Sequence, residues 1–468
     1  MRFVSIAFFF LLVANSIFAQ EQMNEAISQN ELTSDTLGSV KELFQSSAWH
    51  FHSRSFFMGT MNQGQLKDDY ALAQGAGIGL LTKSIKGFQL GMSGYFIFNV
   101  LSSNLAEKDP TTQGLNRYEI GQFDVLNRTN TSSFDRLEEL FLRYHFRQST
   151  FTLGRMSLET PFVNMQDGRM RPTLEEGIWV DSKGKKNQWR IQGGVLWGIF
   201  PRSTSKWMTL NESIGLYGLG TNALTGKNQL VIADKINGLF MLNIDCQLNE
   251  SNQLRYWNVW VDQLMSTNML EWKWTKSLLK GQGYFNTMLI QQNSLSNGGN
   301  VNQKLTYFTK GSQSHVISSQ VGWKNKLVNA NFNYTRIFNG DRYLMPREWG
   351  KDPFYTFMPR ERNEGLANVN AFTAQVIFSK NSGLKWGSGI GYYRLPSITN
   401  FAQNKYGMPS YGQLNLFASY GFKGVWEGLE IRFLIAGKTE MSNEIIPLKN
   451  QINKVNMINS NVVIDFHL

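Results

Sequence analysis

From Trp49 to Leu468 the chain is a succession of short stretches in which apolar and polar residues alternate, joined by connections that are by turns very short and long. Alternation with a period of two places one face of a strand in an apolar medium and the other in a polar one. In FQLGMSGYFIFNV, for example, Phe88, Leu90, Met92, Phe96 and Phe98 form the greasy face, and Gln89, Ser93, Tyr95 and Asn99 the polar one. The pattern predicts strands at 48–58, 70–82, 86–100, 135–147, 149–156, 174–183, 187–200, 234–248 and 252–263. It continues at 267–276, 280–292, 312–324, 327–338, 367–380, 384–395, 410–422, 427–438 and 455–468. A bilayer offers no partners for backbone N–H and C=O groups, so only helices and closed barrels cross it, and a barrel strand needs about 9 to 11 residues. The predicted fold class is therefore all-β: a transmembrane antiparallel β-barrel of about 18 strands, an even number as single-chain bacterial barrels have.

The connections strengthen this reading. Every second one is tiny, around Ser84, Gln148, Gly184, Glu250, Ser277, Asn325, Ser382 and Lys423. The intervening ones, such as 101–134, 201–233 and 339–366, are mostly long, with the exception near Met265. Short periplasmic turns and long extracellular loops produce this rhythm, and both chain ends then lie on the periplasmic side. Trp189, Trp274, Trp323, Trp386 and Trp426 each stand close to a short turn, at the depth where an indole sits among headgroups. The final VNMINSNVVIDFHL alternates as well, and a terminal strand of this form resembles the signal read by outer-membrane barrel assembly machinery.

Composition removes several alternatives. Mean hydropathy is −0.30 despite 42% hydrophobic residues, and no apolar run of about 18 residues follows the N-terminus, which excludes a helical membrane protein. Residues 1–19, with Arg2 ahead of an apolar core and a cleavage point after Ala19, read as a signal peptide. Residues 20–46 read as a flexible periplasmic leader, too short for a plug domain, and 47–468 as one barrel. The single Cys246 excludes intramolecular disulfides and a multi-cysteine metal site. A secreted β-sandwich or β-helix is the bland alternative.

Side-chain parity assigns charges to the lumen. Leu140, Leu142, Tyr144 and Phe146 take the apolar face, which turns Glu139, Arg143, His145 and Arg147 inward; elsewhere the inward set includes His50, His52, Arg54, Arg190, Lys273, Arg432 and Lys438. A lipid-facing Arg or Lys near the midplane costs roughly 2–4 kcal/mol, so parity is decisive near strand centres. Arg155, Arg255 and Arg336 fall on apolar parity and read as snorkelling rim residues. Arg54, Arg143, Arg147, Arg190, Lys273, Arg432 and Lys438 would form a basic ladder that favours anionic solutes, in keeping with a formal net charge of +11. Alternatively these cations neutralise acidic loop residues or bind lipid phosphate.

The third long connection carries TPFVNMQDGRMRPT, residues 160–173, and in wide barrels the third loop is the one most often folded into the lumen. Pro161, Phe162 and Met165 are apolar anchors, while Asp167, Arg169 and Arg171 would face the solute; guanidinium groups suit carboxylates bidentately. A purely structural alternative pairs Asp167 with Arg169 or Arg171.

The segments PTTQGLNRYEIGQFD, RLEELFLRY, DGRMRP and MPREWGKDPFYTFMPRERNEG together resemble the OprD-like outer-membrane porins in the form found in Bacteroidetes, over nearly the whole mature chain. The resemblance implies an 18-stranded monomeric barrel in the bacterial outer membrane, an inward third loop, and passive diffusion of small, often carboxylate-bearing solutes such as amino acids. It places Asp167, Arg169 and Arg171 at the constriction and Arg347, Arg360 and Arg362 in an entrance loop.

No nucleophile elbow, zinc-protease, phosphate-loop or paired-cysteine motif occurs, and QGAGIGL has its glycines at every second residue, as in a curved strand. No enzyme, cofactor or metal is predicted; His50 and His52 could share a metal, but lining the lumen is the simpler role. The predicted partners are outer-membrane lipid, small solutes and the assembly machinery. Nucleic acid is not expected despite a pI near 9.4. The rival functions are an outer-membrane barrel enzyme of protease or lipase type, and a non-conducting structural or adhesion barrel.

Overall fold

A computed structural model describes residues 44–129, 133–184, 188–380 and 382–468. The predicted signal peptide and nearly all of the predicted leader lie outside the described residues. Eighteen long strands form the wall. The first nine are β1 (Ala48–Asn62), β2 (Asp69–Leu81), β3 (Phe88–Ser102), β4 (Ser133–Phe146), β5 (Ser149–Met156), β6 (Leu174–Lys183), β7 (Trp189–Phe200), β8 (Leu239–Asn249) and β9 (Asn252–Val261). They are followed by β10 (Met265–Leu278), β11 (Gly281–Ser294), β12 (Gln313–Lys324), β13 (Val328–Ile337), β14 (Val369–Ser379), β15 (Leu384–Arg394), β16 (Tyr411–Gly421), β17 (Leu429–Glu440) and β18 (Met457–His467). A further two-residue strand, Met208–Thr209, leans on β7 inside a long loop.

Each wall strand pairs antiparallel with its chain neighbours, and β1 pairs with β18 from His52 opposite His467 to Asn62 opposite Met457, which closes the barrel. Closure leaves no open edge, so every wall strand finds hydrogen-bond partners on both sides. All eighteen predicted strands are present. Among the short turns one shifts: the β10–β11 reversal falls at Leu279 and Lys280, both with positive φ, rather than at Ser277, because β10 runs two residues further than its alternation suggests.

Parity holds where it was read in β3: Phe88, Leu90, Met92, Phe96 and Phe98 are exposed on the outside, and Gln89 and Tyr95 are buried inside. A bulge between β3 and β4 alters the count in β4. Met92 lies opposite Leu140 but Gly94 lies opposite Leu137, so one extra residue is absorbed and both Glu138 and Glu139 make their contacts on the lumen side. Arg136, on the far side of the bulge from Arg143, is thereby buried within the barrel.

The lumen is not uniformly polar. Towards the long-loop end, inward positions such as Met241, Val259, Val261, Met265, Ile337 and Val369 are apolar and buried. They form one core with Phe162, Val163, Leu344 and Trp349 from loops folded into the barrel. This corrects the reading of Arg255 as a rim residue. Its strand has an apolar inward face, Trp257, Val259 and Val261, so Arg255 on the same parity points into the barrel, where it meets Asp245 at 2.8 Å and Glu271 at 3.4 Å. Arg155 and Arg336 do lie near the long-loop ends of their strands, bonded to Glu176 and to Asn368.

Candidate solute constriction

The loop between β5 and β6, residues 157–173, turns into the barrel because its apolar residues have a core to enter. Phe162 and Val163 are fully buried, and Thr160 closes a local turn by accepting from Val163 N at 3.0 Å. It does not fold in alone. Asn164 N donates to Trp349 O at 3.0 Å, and Asn164 Oδ1 accepts from Lys351 N at 3.0 Å. The long loop between β13 and β14, residues 338–368, is therefore the second half of the constriction. Arg347, Arg360 and Arg362, expected at the entrance, lie within this inward assembly: Arg362 donates to Gln166 Oε1 at 2.5 Å, and Arg360 reaches Asn459 at 2.6 Å and Asn461 at 2.5 Å on the wall.

The three charged residues of the third loop have different surroundings. Asp167 pairs with neither loop arginine; its carboxylate takes a two-toothed contact from Arg54 of β1, at 2.5 and 2.9 Å. Arg54 also donates to Asp465 of β18 at 2.6 Å and to the carbonyl of Arg169 at 2.8 Å, so one buried guanidinium pins the loop tip to the seam where the barrel closes. Arg171 donates to both oxygens of Glu138, at 2.8 and 2.9 Å, and to His52 Nδ1 at 2.6 Å, and lies 4.1 Å over the Tyr95 ring. The Arg169 side chain is buried and, among the described residues, donates only to the carbonyl of Gly168.

Tyr95 itself depends on two glycines of the QGAGIGL run. A Cβ at Gly75 or Gly77 would stand 2.4 or 2.3 Å from the ring, so these positions are vacant to let the tyrosine lie against β2 beneath Arg171. The run makes room for the ring. Gly77→Val is expected to destabilise the barrel by about 1–3 kcal/mol through overpacking, as Arg171 loses its platform. Heat-dependent gel mobility checks this.

The proposed ladder residues do not form a row of free cations. Arg190 is bonded to Asp181 at 2.9 Å, Lys273 to Glu271 at 3.3 Å, Lys438 to Glu361 at 3.3 Å, and Arg432 to Asp465. Arg143 has Thr152 and the Phe141 ring. Arg147 stands apart, in the β4–β5 turn with positive φ and 5.2 Å over Phe146, because the strand ends one residue sooner than its alternation implies.

Unpaired charge collects instead in the loops. Among the described residues Arg169, Arg202, Arg360 and Arg362 make no ion pair with a carboxylate, and Arg202 Nε has no partner at all. They are close enough to disfavour one another's protons. Burial, then Arg360, pulls Arg169 down to about 9; burial, then Arg169, pulls Arg202 to about 9; burial and Arg202 pull Arg360 to about 10. All stay cationic at neutral pH. Arg202 and the acids Glu138 and Asp465 were not singled out in the sequence: Arg202 sits in an unpatterned loop and Glu138 behind a bulge. Only Asp465 had a signal, its polar parity in β18.

Beside this cluster lies a cavity of about 470 Å³ lined by Arg54, Asp167, Arg360 and Arg432 together with Phe56, Phe357, Met358 and Phe417. It combines cationic and aromatic walls. His52, Asp465 and His467 gather nearby with their ligand atoms within 4.8 Å, but Arg54 and Arg432 hold Asp465 and Arg171 holds His52 Nδ1, so at two of the three residues a metal would compete with a cation already in place.

No protein-family model matches the chain, and no curated protein sequence does. Solved structures do. OccK9 (OpdG) of Pseudomonas aeruginosa aligns with a TM-score of 0.69 at 11% identity, covering 91% of this chain and 99% of that one. OccAB4 of Acinetobacter baumannii gives 0.68 at 13%, covering 90% and 98%, and OpdK of Pseudomonas aeruginosa, crystallised with vanillate, gives 0.66 at 12%, covering 91% and 99%. The chain thus has the OprD-like barrel fold.

Proposed function

We propose that this protein is an outer-membrane porin through which small anionic solutes, chiefly those bearing carboxylates, diffuse passively with some preference. The carrying observation is the group of four guanidinium ions, Arg169, Arg202, Arg360 and Arg362, without carboxylate partners among the described residues, where the two inward loops meet the loop that follows β7. Buried like charges repel, and a passing anion relieves that repulsion; the low-dielectric wall strengthens the attraction beyond what a screened surface patch provides. The solute's selectivity then comes from the loop arginines more than from the strand cations, most of which are neutralised. Membrane residence is supported by the outward apolar face and by the fold shared with outer-membrane porins. The vanillate in OpdK, an aromatic carboxylate, is the kind of molecule that the adjoining cavity, with Phe56 and Phe357 facing Arg54 and Arg360, would accept. A single closed wall is complete as a monomer, and β18 is the strand offered to the assembly machinery. Catalysis has no part in this reading.

The test is a planar bilayer with a salt gradient across it. Replacing Arg169, Arg202, Arg360 and Arg362 together by Gln is expected to bring the anion-to-cation permeability ratio close to one while the channel still conducts. Replacing Arg190 by Gln, whose charge is already matched, should leave the ratio nearly unchanged. A wild-type channel without anion preference, or a fourfold variant that keeps it, would sink the reading.

A further inference from the structure

The charge of the barrel is unevenly distributed between its two ends. At the long-loop end cations and acids are interleaved and paired, as in Lys67 with Asp69, Arg117 with Glu361 and Arg347 with Glu364. At the other end, seven of the eight short turns carry or adjoin a Lys or Arg, and the acids of those turns are Glu250 and Glu427. Much of the excess positive charge of the chain therefore sits on this rim and not along the bore. Lys276, Lys280, Lys326 and Lys380 are exposed there and form no ion pair among the described residues.

The same turns expose large apolar side chains. Leu279 is 80% and Val425 79% accessible, with Leu278, Leu327 and Trp426 also exposed. Lys380 lies 5.5 Å over the Trp386 ring, and Trp323 donates to Leu278 O at 3.0 Å, which sets indoles at the level of the lysines. A rim built only to be wetted would not end in Leu and Val. Apolar tips set beside cations match a layer that is greasy and anionic at once, the headgroup region of a leaflet containing acidic lipid. A soluble polyanion would answer the charge and leave the apolar tips in water.

We infer that the short-turn rim binds acidic phospholipid headgroups of the leaflet it faces, with Lys276, Lys280, Lys326 and Lys380 on the phosphates and Leu279 and Val425 sunk beside the acyl boundary. The inference rests on the membrane placement argued above, and goes beyond solute passage because none of these residues lines the constriction.

The experiment uses the whole barrel in nanodiscs of phosphatidylcholine with a minor fraction of phosphatidylglycerol, followed by extraction and counting of the lipids that stay with the protein. Phosphatidylglycerol is expected to be enriched about fivefold, and the enrichment to be lost in the K276Q/K280Q/K326Q/K380Q variant and kept when the four are changed to Arg. The conductance of both variants should match the wild type. Raising salt should erase the enrichment in the wild type, an arm that needs no variant to fold. No enrichment in the wild type, enrichment that survives in the Gln variant, or equally tight retention of soluble polyglutamate would overturn the inference. Normal conductance with no lipid preference defeats this proposal alone; failure to insert or conduct defeats the porin reading.

Discussion

Replacing Arg54 by Met is expected to raise single-channel conductance several-fold and to weaken the barrel. Arg54 is only 4% accessible and holds Asp465 on the wall, Asp167 on the third loop and the carbonyl of Arg169. Its loss takes a cation from two carboxylates. Asp465 retains Arg432 and His52, and the Asp167 side chain is 39% accessible, so the cost should fall below the about 3–5 kcal/mol of breaking a fully buried pair. Asp167 has no second cation bonded to it among the described residues, so the tip of the third loop should leave its seat. Asp167→Asn separates the two effects: it should widen the channel with a smaller change in the heat required to unfold the barrel. A wild-type conductance in the Arg54 variant would show that the loop is held without Arg54, by Phe162, Val163, Asn164 and Arg171.

Glu361→Gln should have the next largest effect. This buried carboxylate meets Arg117 at 3.0 Å, Lys438 at 3.3 Å and Arg347 at 3.8 Å, tying the loop between β13 and β14 both to the wall and to the loop that follows β3. Neutralising it leaves three cations facing one another, and loop opening, read as protease cleavage within residues 338–368 and increased current noise, is the expected result at neutral pH. The dependence on pH has a definite sign. Burial opposes ionisation of Glu361, but Arg117, Lys438 and Arg347 outweigh it and hold its carboxyl well below the usual range. Glu364, beside Lys405 and Arg347, is lowered in the same way. A depressed carboxyl stabilises fully above its unfolded value of about 4.3 and ceases to do so as pH falls through the folded value. The wild-type loops should therefore stay closed from neutral pH to below about 4 and loosen only in stronger acid, whereas the Gln variant should be open throughout. Loop opening near pH 6 in the wild type would contradict this.

The wall was legible because its signal is repeated. One strand of alternating residues is weak evidence, but in a barrel every strand solves the same problem of lipid on one side and lumen on the other, and β18 must meet β1. Legibility failed where a second apolar medium appeared. Val259 and Val261 face inward because loops bury them, so alternation in β9 no longer distinguishes lipid from lumen, and Arg255 is assigned to the wrong side. It failed again at the β3–β4 bulge, where a residue inserted into the register sends Arg136 and Glu138 inward beside Glu139. The third loop could be nominated from its sequence; its partners could not.

By itself the sequence determined the even-numbered antiparallel cylinder, the side on which its turns are short, and, away from β9 and the β3–β4 bulge, its outward apolar face, since a two-residue period and turn length are local properties that backbone satisfaction in an apolar medium makes obligatory. Tertiary structure alone decided which charges stay unpaired. Arg54 finds Asp167 across 113 positions and Asp465 across 411, while Arg169, Arg202, Arg360 and Arg362 pair with no carboxylate among the described residues. Electrostatic pairing depends on distance through space, and no local pattern records how two inward loops will meet.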